Sequence, residues 1–596
     1  MKLTTALTLF SLSTLYGADW KPVDSPLTTP WTAQVRADRA LPEYPRPQMT
    51  RKDWTNLNGL WDYAIRPQLE SAPAKFDGSI LVPFPVESAL SGVKKPLTPE
   101  QRLWYRRTFN APNVKGKRLL LHFGAVDWRT EVWVNGKAVG KHEGGYDPFT
   151  FDITAALKGK GPEEIVVGVW DPTDTGPQPR GKQVLDPNGI WYTAVSGIWQ
   201  TVWLEPVRDD YVSELSMTPD LDGRKLLLTV RSGSSGEFTA VARLAGKTVG
   251  RISGKLNEPS ALALSEIKPW SPDAPTLYDL DISLRTGDRV ASYFGMRKIE
   301  LRKDAAGFNR LFLNGSALFE IGPLDQGWWP DGLYTAPTDE ALRFDIETLK
   351  KLGFNMCRKH VKVEPARYYY WCDKLGFMVW QDMPSAMPKG RTAGVKRGGA
   401  ADAEFTPDED AIFRRELEAL IRNVGSVTSI VAWVPFNEGW GQHDTNGILK
   451  WVKSLDGSRL VDGPSGWEDR GYGDIKDMHQ YPGPGMYPAM PDRASVLGEF
   501  GGLGLPVADH LWWDKRNWGY RTFEDRAKLQ TAYEGLMEQL EKLVPQGLAG
   551  AIYTQTTDVE GEVNGLITYD RKVVKFDTAK LAEMHRRIIS AGGSKE

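Results

Sequence analysis

The chain has 596 residues, is 41% hydrophobic and 25% charged, and carries a formal net charge of −2. That length predicts about three or four domains, each able to bury a core. Lys and Arg are scattered rather than gathered in a stripe, which argues against nucleic acid as a partner, and no run beyond the N-terminus is long and apolar enough to span a bilayer.

Residues 1–18 read as a secretory signal. Lys2 is followed by a mostly apolar segment, Leu3 to Leu15, and then by small residues, with Tyr16 where a small residue is expected before a cut after Ala18. The expectation is a soluble periplasmic or secreted protein with no membrane partner. Residues 19–45, rich in Pro and polar side chains, are expected to be a loosely ordered arm. From Trp54 short strands and turns take over. Among them are Trp104–Phe109, Arg118–Phe123, Glu164–Trp170 and Gln200–Glu205, and a hairpin turns at Asn135-Gly136. Residues 19–206, arm included, are therefore expected to hold a two-sheet jelly roll. Residues 207–300 repeat the rhythm over about the length of an immunoglobulin-like sandwich.

In residues 301–596 the pattern becomes strand–helix–strand. Eight strand regions are expected: Leu311–Leu313 with Ala317–Gly322, then Phe354–His360, Phe377–Asp382, Ser429–Phe436, Arg459–Asp462, Ile475–Tyr481, Ser495–Glu499 and Gly547–Thr554. Helices are expected at Thr338–Leu352, Glu364–Leu375, Asp408–Asn423, Thr445–Leu455, Arg526–Leu543 and Thr578–Ile589. A Gly- and Lys-rich excursion, Pro384 to Phe405, interrupts them. Eight such units in about 290 residues fit a (β/α)8 TIM barrel. Cys357 and Cys372, the two cysteines, are expected as buried free thiols.

Polar residues end strand after strand: Arg358 and His360, Gln381 and Asp382, Asn437 and Glu438, His479 and Tyr481, Glu499, Gln555. In a barrel that rim is where chemistry happens. Each of Glu438 and Glu499 closes a short apolar run, Glu438 followed by Gly439 and Glu499 by Phe500-Gly501-Gly502, so both are expected at the mouth. Two carboxyl groups about 5–5.5 Å apart cleave a glycosidic bond with retention. Glu438, between Phe436 and Trp440, suits the acid/base. Glu499, with Arg358 and Tyr481 as candidate neighbours, suits the ionised nucleophile. Asn437 could bond the 2-hydroxyl of a sugar, and His479 other hydroxyls. The loop Asp186–Tyr192, with Trp191, could reach the mouth from the jelly roll. Asp325, Trp328 and Trp329 could wall it from the first strand, and Trp512 and Trp513 from the seventh. No Gly-rich phosphate loop, Cys–His metal spacing or Gly-x-Ser-x-Gly elbow occurs, so neither a cofactor nor a metal is expected.

From about Trp54 onward the chain resembles glycoside hydrolase family 2. The resemblance rests on Asp127–Gly136, Gly144–Phe149 and Ser196–Trp199 in the jelly roll. In the sandwich it rests on Trp270-Ser271-Pro272 through Tyr278 and on Phe294–Arg297. In the barrel it rests on Gly353–His360, Cys372–Gly376, Asn437-Glu438 and Gly498–Gly501. It implies a retaining, exo-acting enzyme on glycosides or oligosaccharides, with acid/base and nucleophile at Glu438 and Glu499. The family's glucuronidase branch reads the sugar carboxylate with an Asn-x-Lys after the last strand; here Asn564-Gly565-Leu566 lacks the lysine, which favours a neutral sugar. A Trp common near the end of strand eight is replaced by Tyr553, and Lys362 stands in a His-Tyr-Pro position, where an exposed lysine is expected. The reading is a β-galactosidase-like enzyme, with an α-L-arabinosidase or a non-catalytic carbohydrate-binding protein as the rivals.

Overall fold

The computed structural model describes residues 20–112, 114–388, 399 and 401–593. The signal-like segment and half of the Gly- and Lys-rich excursion lie outside the described residues. Among the described residues, no helix is long and apolar enough to cross a membrane.

The N-terminal module packs a six-stranded antiparallel sheet, built around Gln101–Phe109 and Glu163–Trp170, against a four-stranded one built around Val202–Val207 and Arg118–Phe123. Alternate residues of both sheets, among them Leu103, Tyr105, Leu119, Leu121, Ile165, Val167 and Val169, meet in one core. This is the jelly roll. The next module sets three strands (Glu214–Asp220, Lys225–Arg231, Ser260–Ala263) against four (Lys247–Lys255, Glu237–Leu244, Tyr278–Leu284, Arg289–Phe294), an immunoglobulin-like sandwich with its own core.

Residues 20–45 are not a loose arm. Trp31 is buried edge-on against Trp329 and Phe344. The hydroxyls of Thr29 and Thr32 donate to Asp331 at 2.7 and 2.5 Å. A Pro-rich composition marks the absence of regular structure; it does not weigh the apolar area that one Trp buries.

The eight barrel strands are Glu320–Asp325, Met356–Lys359, Met378–Asp382, Ile430–Val434, Leu460–Val461, Ile475–Gln480, Ala494–Gly501 and Leu548–Thr554. All pair in parallel, and a bridge from Asp462 to Ile475 joins the fifth to the sixth. Helices α1 (Asp339–Lys351), α2 (Ala366–Leu375), α3 (Pro407–Val424) and α4 (Thr445–Leu455) follow the first four strands. Helices α5 (Arg526–Leu543) and α6 (Thr578–Gly592) follow the last two. Thr338 caps α1, its side chain accepting from Ala341, and Thr406 with Glu409 closes a capping box on α3. Leu311–Leu313 does not belong to the barrel: it pairs antiparallel with Ile299–Lys303 and Ser316–Ala317 in a separate small sheet. Both thiols are free and buried, and Cys357 Sγ lies 3.2 Å from the Tyr368 hydroxyl.

Arg297, 2% exposed, fastens the sandwich to the barrel. Its guanidinium donates to the carbonyls of Thr428, Ile430 and Ser458 at 2.8–3.0 Å, at the start of the fourth strand and just before the fifth. Replacing it leaves three backbone acceptors in a dry interface. Arg297→Met should cost roughly 3 kcal/mol or more, read as a lower urea midpoint of the first unfolding transition by circular dichroism. An unchanged midpoint would show that water replaces the guanidinium.

Candidate active site

The pleat of the strands decides what enters the barrel. On each strand alternate residues face the axis and the helices. Leu324, Met356, Trp380, Ala432, Val434, Val496 and Ile552 fill the interior cluster, while Cys357, Val379, Trp433, Val461, Leu497, Ala551 and Tyr553 pack against the helices. Arg358, two residues beyond Met356, therefore points inward, and so do Asp382 after Trp380 and His479 after Asp477.

Strict alternation would turn Glu499 outward, because Val496 faces in. A bulge corrects this. Met478 pairs with Leu497 but His479 pairs with Glu499, so Gly498 is an extra residue. The Gly498 N–H donates to Asp477 Oδ1 at 2.5 Å, and a Cβ on residue 498 would lie 1.9 Å from the other Asp477 oxygen, so only glycine fits. Glu438 is placed by a different device. It follows the fourth strand with φ of 51°, in the left-handed region. Its N–H donates to the Ser465 carbonyl at 2.8 Å, while the Ser465 N–H donates to Phe436 at 3.0 Å. Holding a non-glycine residue there costs about 1–3 kcal/mol, and the paired Ser465 strand end sustains it.

The two carboxylates meet. One oxygen of each and a ring nitrogen of His479 all lie within 4.8 Å of one another. His479 Nδ1 is 2.7 Å from Glu438 Oε1 and 3.5 Å from Glu499 Oε2. Beneath them Arg358 is wholly buried. It donates to both oxygens of Asp382 at 2.9 Å, to Asn437 Oδ1 at 2.7 Å and to Glu499 Oε1 at 3.2 Å. The Tyr481 hydroxyl donates to Glu499 Oε2 at 2.6 Å and lies 2.7 Å from Thr554 Oγ1. Burial alone would raise the Glu499 carboxyl, but the charges of His479 and Arg358, with the Tyr481 hydrogen bond, bring it down to about 2. His479 moves the other way from what burial alone would do: Glu499, Glu438 and Asp477 hold its pKa above the ordinary imidazole value. His360, against Asp382 at 2.9 Å, is pushed well below that value by burial, Lys182 and Arg358, and so is neutral. Asn437 Nδ2 is buried with no hydrogen-bond partner among the described residues.

The jelly roll completes the mouth. The N–H groups of Arg180 and Gly181 donate to the Ser385 carbonyl, just beyond the third strand. Gly181, at φ 62°, passes so close to Val361 that a Cβ would lie 2.4 Å from its carbonyl oxygen. Trp191 packs on Trp440, ring centroids 5.0 Å apart, two residues from Glu438. Tyr192 hydrogen-bonds Glu562, and Gln326 donates to the Tyr192 hydroxyl at 2.6 Å. Lys182 is 6% exposed, with its ammonium 5.7 Å from the ring centres of both Tyr192 and Trp440 and no hydrogen-bond or ion-pair partner among the described residues.

Of the residues singled out in the sequence, Arg358, His360, Asn437, Glu438, His479, Tyr481 and Glu499 are gathered here, and Trp191 lies at the rim. Asp325 and Tyr553 are not. Leu324 and Ile552 take the inward positions, so their successors face the helices. Asp325 binds Lys359 Nζ at 2.7 Å and the Tyr368 hydroxyl at 3.1 Å. Tyr553 packs on Tyr533 of α5. Trp328 and Trp329 are buried in the core. Lys362, expected exposed, is wholly buried on the carbonyls of Gly327 and Tyr334 and against Glu364. Lys182, Ser465 and Glu562 carry no local motif that would have singled them out.

Three family models match the chain, and together they cover more than half of it. They are "Glycosyl hydrolases family 2, sugar binding domain" at residues 79–206, "Glycosyl hydrolases family 2" at 211–297 and "Glycosyl hydrolases family 2, TIM barrel domain" at 336–490. A β-galactosidase of Thermoanaerobacter pseudethanolicus is 27% identical over 307 residues, 47% of this chain and 39% of that protein. A putative β-glucuronidase of Formosa agariphila is 30% identical over 298 residues, 47% of this chain and 35% of that protein. The matches thus span well under half of these curated relatives' length. Among solved structures, a β-D-glucuronidase of Dictyoglomus thermophilum superposes with a TM-score of 0.72 at 18% identity, covering 91% of this chain and 98% of that one. The β-glucuronidase of Ruminococcus gnavus does so with a TM-score of 0.72 at 18% identity over 92% and 100%. With all three modules matched in chain order, the protein belongs to glycosyl hydrolase family 2.

Proposed function

We propose that the protein is a retaining exo-glycosidase that releases a terminal β-linked sugar by double displacement. The observation that carries this is the separation of Glu438 and Glu499. One oxygen of each carboxyl group within 4.8 Å of the other is close to the about 5–5.5 Å of retaining pairs and short of the about 6.5–9.5 Å at which an inverting pair holds its water. In the first step Glu438 gives its proton to the glycosidic oxygen while Glu499 attacks the anomeric carbon, forming a glycosyl ester and freeing the aglycone. In the second, Glu438 takes a proton from water, the hydroxyl oxygen bonds to the anomeric carbon, and Glu499 leaves as carboxylate. Tyr481 follows the charge on Glu499: as the ester forms, its hydroxyl can turn to Thr554. Asn437 Nδ2 is the donor for the 2-hydroxyl, a contact that strengthens in the transition state. The jelly-roll strap across the mouth supports attack at chain ends.

A neutral, galactose-type sugar is the first reading. Leu566, wholly buried, occupies the place where a lysine would read a sugar carboxylate. Lys182, the unpaired ammonium at the mouth, makes a glucuronide the second substrate to try. A panel of 4-nitrophenyl glycosides, β-D-galactoside, α-L-arabinoside and β-D-glucuronide included, should show turnover with retained configuration by NMR; an inverted first product would end the proposal. Glu438→Gln and Glu499→Gln should each lower kcat about a thousandfold or more. With azide, Glu499→Gly should yield the α-glycosyl azide and Glu438→Ala the β-glycosyl azide. The opposite pairing would exchange the roles.

Tyr481→Phe removes one of the groups that hold Glu499 ionised. The carboxyl should move up from about 2 toward the ordinary range. Activity needs the ionised form, so it is present above this pKa and lost as pH falls through it. The acid limb of kcat/KM should therefore shift to higher pH in the variant, with a loss of roughly tenfold at the optimum. A limb that stays in place would mean that Tyr481 does not govern the nucleophile.

A further inference from the structure

Behind Glu438 a hydrogen-bonded chain runs into the barrel floor. Glu438 Oε1 lies 2.7 Å from His479 Nδ1. The other ring nitrogen, Nε2, lies 2.8 Å from Ser465 Oγ, with Arg358 Nη1 farther off at 3.4 Å, and Ser465 Oγ lies 2.5 Å from Asp477 Oδ2. Asp477, His479 and Ser465 are all buried, Asp477 and His479 on the inward face of the sixth strand. Past Asp477 stands Asp462, wholly buried and close enough to share a carboxylic proton with Asp477, with no other hydrogen-bond partner for its oxygens among the described residues.

Donor accounting shows what this chain can do. The hydroxyl of Ser465 has one proton and two neighbours, so it donates to one and accepts from the other. If Asp477 is ionised, Ser465 donates to it and His479 Nε2–H donates to Ser465. His479 Nδ1 then either accepts from a protonated Glu438 or, with the imidazole charged, donates to an ionised one. If Asp477 carries the proton, it donates to Ser465, Ser465 donates to Nε2, and Nδ1–H donates to the Glu438 carboxylate. All three arrangements contain the same three protons. They differ only in whether the mobile one sits on Glu438, on His479 or on Asp477, and each step moves a proton along an existing hydrogen bond. Resting on the reading of Glu438 as acid/base, we propose that the proton Glu438 delivers is shared along Glu438–His479–Ser465–Asp477, with Ser465 as the positioning residue that joins the buried carboxylate to the site.

The surrounding charges fit. The groups facing His479 are Arg358 and His360 on and just beyond the second strand, Asp382 from the third, Glu438 beyond the fourth, Asp477 on its own strand, and Glu499 from the seventh, with Asp462 behind Asp477. Burial raises Asp477, and burial together with the Asp477 charge raises Asp462 well above the carboxylate range. Burial thus favours a proton at the inner end of the chain, where Asp462 and Asp477 lie together, while Glu499 is held ionised at the outer one. When the aglycone takes the proton from Glu438, the remaining protons redistribute along the chain. The water that enters in the second step restores the one that was lost.

Ser465→Ala cuts the chain but keeps the backbone bond that holds Glu438. The measurement is kcat/KM for phenyl and 2,4-dinitrophenyl β-D-galactoside, or the same pair on whichever sugar the panel selects. Phenol needs a proton to leave; dinitrophenolate does not. Ser465→Ala should lose at least about ten times more on the phenyl glycoside than on the dinitrophenyl one. Asp477→Asn should show the same bias. The alkaline limb of kcat/KM on the phenyl glycoside should move to lower pH, because the buried carboxylate no longer helps to retain the proton. Ser465→Thr, which restores a hydroxyl, should restore the ratio. Equal losses on both substrates with an unmoved alkaline limb, or a threonine variant with the alanine ratio, would overturn the inference and leave the glycosidase reading standing. A parent enzyme inactive on every glycoside would overturn both.

Discussion

The site depends on one buried cation. Arg358 sits where the second strand opens into the mouth, wholly out of solvent, and its N–H groups are shared among Asp382, Asn437, Glu499 and the Gly498 carbonyl. A guanidinium so placed is tolerable only because carboxylates surround it. Against the cost of burial, Asp382 and Glu499 hold its pKa above the ordinary arginine value. In return it fixes three strands in one geometry and keeps Glu499 ionised. The planar fork makes this possible, since one ammonium could not reach the same set in the same plane.

Around that cation two neighbouring acids meet different partners. Glu499 lies against Arg358 and Tyr481, groups that favour its charge. Glu438 is tied instead to His479, a group that can give or take a proton. The difference between their surroundings thus comes from the side chains behind them, Arg358 and Asp382 on strands two and three and His479 and Tyr481 on and just beyond strand six. The jelly roll adds a wall the barrel lacks, through Lys182, Trp191 and Tyr192.

Backbone devices do as much as side chains here. The extra residue at Gly498 reverses the facing of Glu499, and the left-handed turn at Glu438, pinned on Ser465, swings the other carboxylate over the same spot. Neither would be inferred from residue type alone. The same pleat that brings Arg358 and His479 inward sends Asp325 and Tyr553 outward to the helices, although all four lie on or next to strand ends. Position at a strand end was legible; parity was not, because it depends on the exact register of each strand.

The sequence by itself determined the order of the three modules, seven of the eight barrel strand regions and most helix limits within a residue or two. Apolar periodicity, caps and turn residues are local, and local physics sets them. It also marked Glu438 and Glu499, since two carboxylates closing buried apolar runs fall on one rim of polar strand ends. Only the tertiary structure decided that Trp31 anchors the N-terminal arm, that Lys182 enters the mouth from another module, and that Ser465 links Asp477 to His479. Those contacts join residues far apart along the chain through packing, and no spacing in the sequence encodes which distant surfaces will meet.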